Sequence, residues 1–150
     1  MIRVQREDFD LGREYDALIA GGATMGAVAA FVGRVRDRTA DGARIEAIEL
    51  EHYPGMTERE LERIEREART RWPLDEVLIV HRYGRLLPGD QIVLVLTGSA
   101  HRDGAFEAAR FLIDWLKTKA PFWKREETAA GGRWVEAKSE DDEAAKRWTS

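Results

Sequence analysis

The sequence contains no cysteine. Disulfide bonds, thiolate metal sites and a cysteine nucleophile are therefore excluded, and any sulfur used in a reaction would have to come from another molecule. The three histidines, His52, His81 and His101, are far apart in the chain and lack the spacing of metal ligands. We accordingly expect neither a bound metal nor a resident cofactor.

The sequence also lacks long apolar runs and an excess of positive charge. No stretch is apolar over the length of a bilayer, and the N-terminus, MIRVQREDFD, has no apolar signal-peptide core. The formal net charge of -4 argues against general nucleic-acid binding, which usually needs a basic face. We therefore expect a cytoplasmic protein that binds neither membranes nor nucleic acids.

What is present is the composition of one globular domain. The chain has 150 residues, of which 43% are apolar, enough to bury a core as a single domain over residues 1–150. The order of predicted elements indicates an α+β fold with mainly antiparallel strand pairing. Periodicity and turn residues predict helices at 10–20, 57–72 and 103–119, and strands at 2–5, 26–35, 45–53, 76–83, 91–97 and 133–137.

The strand patterns differ in how much burial they predict. Residues 76–83 and 91–97 are nearly continuous β-branched and aliphatic runs, which is typical of central strands buried on both faces. Residues 26–35 and 45–53 alternate or carry small side chains, and their short separation favours a hairpin between them.

The helix patterns predict specific ends and faces. Asp10 is positioned to cap the first helix, and Thr57 followed by Glu60 has the spacing of a capping box. In the last helix, Phe106 begins an apolar stripe at helical spacing, which predicts that its ring is buried.

The stretch LKTKAPFWKRE, residues 116–126, combines charge with large aromatic side chains. Pro121 cannot extend a helix, so the chain must turn there beside Phe122 and Trp123. Two interpretations remain open: aromatic walls of a pocket for an anion, or a solvated helix end held by a buried Phe-Trp anchor. The cations around the turn are Lys117, Lys119, Lys124 and Arg125.

Two further cationic pairs lie at predicted element ends. Arg34 and Arg36 share one face by strand periodicity, and arginine is suited to bidentate capture of an anion. His101 and Arg102 precede the last helix, where free N–H groups favour an anion. In each case the alternative is an ordinary exposed or structurally satisfied side chain.

Seven segments spread in order along the chain form a distinctive series. They are GAVAAFVGRVRD (26–37), LEHYPGM (50–56), RWPL (71–74), HRYGRLLPGDQIV (81–93), SAHR (99–102), LKTKAPFWKRE (116–126) and RWVEA (133–137). Of these, HYPGM, SAHR and APFWKRE in series are the most specific. Together the segments resemble the MoaE family, the large catalytic subunits of molybdopterin synthase.

The resemblance implies an α/β-hammerhead fold and a homodimer that binds two small ubiquitin-like sulfur-carrier subunits, giving a heterotetramer. The Gly-Gly tail of each small subunit would end in a thiocarboxylate and supply the sulfur that this chain lacks. The implied reaction installs two dithiolene sulfurs on cyclic pyranopterin monophosphate, forming molybdopterin through a half-sulfurated intermediate.

The resemblance also assigns roles to residues. Lys117 and Lys124 match the catalytic lysines, and Phe31, Lys117 and Phe122 match contacts to the partner's tail. His101 and Arg102 match residues that serve a neighbouring protomer's pocket, and Lys138 falls where a relative has an arginine that contacts phosphate. The implied substrate-binding set is Arg34, Val35, Arg36, His101, Arg102, Lys117, Lys124, Arg125 and Glu126.

A physical hypothesis follows for the two lysines. Lys117 would polarise the thiocarboxylate carbonyl and stabilise the tetrahedral adduct, while Lys124 would donate a proton or hold negative charge. Two other functions compete with this one. The first is a non-catalytic adaptor for a ubiquitin-like tail, anchored by Phe122 and Trp123. The second is a nucleotide- or RNA-binding domain that uses the arginine cluster, against which the acidic net charge weighs.

Overall fold

The structure is a computed structural model that describes residues 1–135 and 139–149. The predictions that concern Glu136, Ala137 and Lys138 lie outside the described residues. The elements in chain order are β1 (Ile2–Gln5), α1 (Leu11–Ile19), β2 (Ala27–Arg34), β3 (Ala47–His52), α2 (Met56–Arg71), β4 (Glu76–Arg82), β5 (Gly84–Leu86), β6 (Gln91–Ser99), α3 (Arg102–Thr118), β7 (Phe122–Thr128), β8 (Gly131–Val135) and α4 (Ser139–Lys146).

The first sheet has four strands in the order β1-β4-β6-β2, with one parallel pair, β1 with β4, and antiparallel pairs elsewhere. Its central strands are buried on both faces, as predicted. On β4, Val77 and Ile79 pack with residues of α2 and α3. Leu78 and Val80, on the opposite face, pack with Leu18 of α1. Because side chains alternate along a strand, the two faces of β4 contribute to two separate cores.

The second sheet has four antiparallel strands in the order β5-β3-β7-β8. The predicted hairpin between residues 26–35 and 45–53 is wrong. β2 pairs with the buried strand β6, whereas β3 pairs with β5 and β7 in the other sheet. The link between β2 and β3 carries Val35 and Ile45 into the core of the second sheet, so adjacent strands separate. The α+β fold with mainly antiparallel pairing is confirmed.

Helix α2 begins one residue earlier than predicted, and its cap differs. The N–H of Gly55 donates to the Glu58 carboxylate at 3.0 Å, so Glu58 fills the role that was expected of Glu60. Thr57 lies inside the helix and is fully buried. Its hydroxyl accepts from the N–H of Tyr53 at 3.0 Å and donates to the carbonyl of Pro121 at 3.3 Å. The start of α2 is thereby tied to the turn before β7. At α1, by contrast, the Asp10 cap is confirmed by its bond from the N–H of Arg13.

Helix α3 packs on the first sheet through small side chains. Ala105 and Ala109 lie against Ala29 of β2, so the helix approaches the sheet closely. The prediction that Phe106 is buried is wrong, because its ring is 65% exposed. A stripe centred on alanines at 105 and 109 turns residue 106 away from the core.

The C-terminal helix α4 is held against α2 and α3 by Trp148. The indole N–H donates to the Asp114 carboxylate at 2.7 Å, and the ring meets Trp72 and Phe111 edge-on. The carbonyl of Trp148 accepts from Arg71 at 2.8 Å. Among all the elements described, no helix has both the length and the apolar character needed to cross a membrane.

Candidate active site

A cavity of about 470 Å³ lies where β2 and β6, the C-terminal end of α3 and the second sheet meet. Its lining combines apolar and polar side chains, and its charged groups are mostly cations. The apolar side chains include Phe31, Ile92, Val93, Ile113, Leu116 and Phe122. The polar side chains are Arg34, Arg36, His81, Lys117, Thr118, Lys124, Glu126 and Asp141.

Lys117 lies in the last turn of α3, where the helix ends before Pro121 as the sequence predicted. Within the described part of the chain, no carboxylate is at ion-pair distance from its ammonium. The carbonyl end of a helix is a favourable place for a cation. An uncompensated ammonium at a cavity wall is available to an anionic ligand.

Lys124 reaches the cavity from β7, a strand where the sequence predicted only a turn. Side chains alternate along β7, so Phe122, Lys124 and Glu126 share the face that lines the cavity. Glu126 is buried, and its carboxylate lies 3.9 Å from the ammonium of Lys124 and 3.8 Å from the guanidinium of Arg133. The buried carboxylate of Glu126 therefore lies beside Lys124 on the cavity face of the strand.

The end of β2 brings Arg34, Val35 and Arg36 to the cavity. Val35 is buried, and its N–H donates to the carbonyl of Asp90 at 2.8 Å in the turn between β5 and β6. Arg34 donates to the carbonyl of Gly89 at 3.2 Å in the same turn. Both arginines flank the buried valine and are exposed, so their guanidinium groups are open to a ligand.

One wall of the cavity is formed by two stacked aromatic rings. The ring of His81 stacks on Phe122, with ring centroids 3.7 Å apart and planes inclined by 16°. Nδ1 of His81 lies 2.8 Å from the carbonyl of Arg82. Burial lowers the pKa of His81 to about 4, and the nearby charges of Lys117 and His52 act in the same direction, while the bond to Arg82 opposes them. Sequence reasoning missed His81, although a histidine inside the apolar run VLIVHRY is a usable signal.

Other predicted residues are not brought to this cavity within one chain. Arg125 lies on the opposite face of β7 from Lys124, and Lys119 lines a separate cavity beside Trp148. His101 and Arg102 lie at the start of α3, roughly 22 Å from Lys117 at 1.5 Å per helical residue. Substrate contacts by Arg125, His101 and Arg102 therefore stay predictions.

Phe122 and Trp123 lie on opposite faces of β7. Phe122 walls the cavity, while Trp123 faces the other way and meets Tyr53 edge-on at 4.4 Å. Of the two interpretations of residues 116–126, the pocket is the one that fits the geometry.

No cluster of three or more potential metal ligands was found in the residues that the structure describes. A cavity with apolar and aromatic walls beside two lysines and two arginines suits an anionic ligand.

Comparison with known proteins gives a consistent result. A family model described as MoaE protein matches residues 4–119. A protein from Mesorhizobium japonicum named molybdopterin synthase catalytic subunit is 54% identical over 151 residues, covering 99% of this chain and 93% of that protein. A solved structure titled molybdopterin biosynthesis MoaE protein, from Burkholderia ambifaria, is 55% identical with a TM-score of 0.85 and covers 100% of this chain and 98% of that one.

A more distant solved structure shares the fold. It is titled as a protein-protein complex of subunits 1 and 2 of molybdopterin-converting factor from Helicobacter pylori. The likeness has a TM-score of 0.72 at 21% identity and covers 92% of this chain and 90% of that one.

Proposed function

The chain belongs to the MoaE family, and on that basis we propose that it is the catalytic subunit of a molybdopterin synthase, an enzyme of molybdenum cofactor biosynthesis. The proposed reaction transfers sulfur from the C-terminal thiocarboxylate of a small ubiquitin-like subunit to cyclic pyranopterin monophosphate. The observation that carries this proposal is the cavity that Lys117 and Lys124 share between the aromatic walls Phe31 and Phe122.

The charges of the cavity fit the two reactants. A thiocarboxylate and a cyclic phosphate are both anions and repel each other, so bringing them together needs fixed positive charge. Among the residues that the structure describes, four cations line the cavity, Lys117, Lys124, Arg34 and Arg36, against the carboxylates of Glu126 and Asp141. The excess of cations would offset the repulsion between the reactants.

The two lysines approach from different elements and take different roles. Lys117, at the end of α3, would polarise the tail carbonyl and stabilise the oxyanion of the tetrahedral adduct. Lys124, held beside the carboxylate of Glu126, would donate a proton or hold charge as sulfur adds to the substrate and the cyclic phosphate opens.

The partner would supply the sulfur, because the chain has no cysteine. An extended Gly-Gly tail has no side chains to obstruct its entry past Phe31 and Phe122 into the cavity. The complex of two subunits in the Helicobacter pylori structure supports a small-subunit partner of this kind. In the proposed assembly, a homodimer of this chain binds two such subunits as a heterotetramer in the cytoplasm.

The distant cationic pair fits the same assembly. His101 and Arg102 are exposed and lie far along α3 from Lys117, so they would complete a neighbouring copy's cavity in the homodimer. Lys138, carried over as a phosphate contact, remains part of the proposal from resemblance alone.

The test combines the protein with a thiocarboxylated small subunit and cyclic pyranopterin monophosphate, and measures dithiolene product by mass spectrometry. We expect Lys117→Ala to slow product formation by on the order of 10²-fold or more, because an oxyanion would lose its counter-charge. Lys119→Ala removes the same charge two residues away, at a position that lines the other cavity, and serves as the matched control.

Product formation by Lys117→Ala at the wild-type rate would rule out this role for the lysine. Stable binding of the thiocarboxylated subunit by the wild type without any product would instead support the adaptor function.

A further inference from the structure

His81 is a buried histidine that lines the same cavity as Lys117 and Lys124. Nδ1 lies 2.8 Å from the carbonyl of Arg82. A carbonyl only accepts hydrogen bonds, so Nδ1 carries the ring hydrogen and Nε2 holds the lone pair. Because His81 lines the cavity and its Nδ1 edge is taken by the backbone, Nε2 is the atom that it offers to the cavity's contents.

The ring of His81 is held in place on a second side. Phe122 stacks on it at 3.7 Å, and Phe122 is itself a wall of the cavity on β7. A ring fixed by one hydrogen bond and one stacking contact has a defined direction for its lone pair. That property distinguishes a positioned base from a histidine that merely fills space.

The other possible bases that the structure describes in the cavity are two carboxylates. The carboxylate of Glu126 lies within 4 Å of both Lys124 and Arg133. Asp141 comes from the C-terminal helix α4. The two lysines and two arginines are cationic donors without a lone pair. Among the described residues that line the cavity, His81 is therefore the neutral nitrogen base.

The proposed reaction needs a base at one step. When the thiocarboxylate sulfur bonds to a carbon of the substrate, the tail and the substrate become joined through an acyl–sulfur bond. Release requires water to add to the acyl carbon of the tail. The bond between that acyl carbon and sulfur then breaks, and sulfur stays on the substrate. The oxygen of that water remains in the tail as part of a carboxylate, so the water must give up its protons.

We propose that His81 is a catalytic general base for this hydrolysis, with Nε2 taking a proton from the water that attacks the acyl carbon. The inference rests on the proposed function. As the carbon–sulfur bond breaks, its electron pair goes to sulfur, and the imidazolium of His81 returns the proton to that sulfur. The second proton of the water is lost when the new carboxylic acid of the tail ionises.

The surroundings of His81 keep its ring unprotonated before this step. Burial and the charges of Lys117 and His52 hold its pKa near 4, so the ring is unprotonated at neutral pH. An anionic adduct in the cavity would offset the charge of Lys117 and favour the imidazolium as the proton arrives. The proton is then held only until sulfur departs.

The test is a single-turnover reaction with thiocarboxylated small subunit and cyclic precursor, quenched in acid and analysed by mass spectrometry for the covalent tail–precursor adduct. His81→Phe keeps the stack on Phe122 and removes the lone pair. We expect the adduct to form at close to the wild-type rate and to decay slower by on the order of 10²-fold, as for loss of a general base.

Two further variants separate catalysis from structure. His52→Phe makes the same change in a neighbouring histidine that packs against Tyr83 outside the main cavity, and because the lone pair of His81 stays in place, the adduct is expected to decay without the slowing predicted for His81→Phe. His81→Ala leaves space for added imidazole, and we expect imidazole to restore decay of the adduct in proportion to its unprotonated concentration.

Decay of the adduct at the wild-type rate in His81→Phe would overturn the role of His81. So would failure of His81→Ala to respond to imidazole, or accumulation of adduct in Glu126→Gln but not in His81→Phe. A wild-type protein that forms neither adduct nor product would overturn the proposed function itself, and is recognised before any variant is compared.

Discussion

Lys124 and Arg125 are neighbours in the chain and lie on opposite faces of β7. Lys124 lines the cavity, whereas Arg125 packs beside Gly132 of β8 on the far side of the sheet. Resemblance to the MoaE family assigns substrate contact to both residues, but alternation along a strand brings only Lys124 to this cavity. The pair therefore offers a direct test of whether the cavity of a single chain contains the reacting centre.

We expect Lys124→Ala to lower kcat/KM by on the order of 10²-fold, because a cation that balances negative charge in the transition state is lost. Arg125→Ala is expected to stay within about threefold of the wild type, since an exposed cation on the far face contributes little. Steady-state kinetics with both substrates would measure the two effects. An equal loss in Arg125→Ala would show that the opposite face of β7 also serves the reaction.

The hydroxyl of Thr57 connects the start of α2 to the turn before β7, and its removal is expected to destabilise the fold. Thr57→Val keeps the shape of the side chain but loses the bonds to Tyr53 and Pro121 inside a fully buried site. We expect a loss of about 1–3 kcal/mol in the free energy of unfolding, measured by urea denaturation. Thr70→Val, which removes an exposed hydroxyl from the same helix, is the control and should change stability by less than about 0.5 kcal/mol. Equal effects of the two substitutions would contradict the prediction.

The histidine of the cavity also predicts how stability depends on pH. The pKa of His81 falls from its ordinary value of 6.5 to about 4 in the folded chain. As the pH drops through 6.5 the unfolded chain takes up a proton on this residue while the folded chain does not, so stability is lost between pH 6.5 and about 4. At about 1.4 kcal/mol per pKa unit, the loss attributable to His81 is about 3 kcal/mol.

Urea denaturation of wild type and His81→Phe at a series of pH values would test this. Carboxylates titrate in the same range, so the informative quantity is the difference between the two proteins. We expect that difference to change by about 3 kcal/mol across the window. The matched control is His101→Phe, which removes an exposed histidine and should follow the wild-type curve. Parallel curves for wild type and His81→Phe would refute the prediction.

Trp148 is expected to hold the C-terminal helix in place. Trp148→Ala removes the hydrogen bond to Asp114 and the edge-on contacts with Trp72 and Phe111. Because Trp148 is partly exposed, we expect a loss of about 2 kcal/mol, below the cost of truncating a fully buried tryptophan. Trp134→Ala, at a position that is 57% exposed on β8, should cost less than about 0.5 kcal/mol. Differential scanning calorimetry of both variants would measure the contrast, and a larger loss for Trp134→Ala would contradict it.

Much of the architecture was predictable from local patterns. The continuous apolar runs of β4 and β6 predicted strands buried on both faces, and the structure confirms this because each face meets its own core. Pro121 marked the end of α3, and the Leu87–Asp90 turn forms with a positive φ at Gly89. These features depend on side-chain type and on a few consecutive residues.

Predictions that depended on distant contacts were wrong or missing. The expected hairpin of residues 26–35 with 45–53 fails because β2 obtains a longer, buried partner in β6. The sequence predicts a turn where β7 lies, since an alternation of charged and aromatic side chains becomes a strand only when β3 and β8 pair with it. Periodicity predicts a buried Phe106 because it cannot show that alanines, rather than rings, fit against Ala29.

The sequence by itself determined the chemistry available to this protein: no thiol of its own, several clustered cations, and motifs that identify the MoaE family. Only the tertiary structure decided which of those cations meet. It brought Lys117 and Lys124 to one cavity, turned Arg125 away and added His81 from the middle of a buried strand. The physical reason is that residue type acts locally, whereas the choice of strand partner and exposed face depends on packing between segments far apart in the chain.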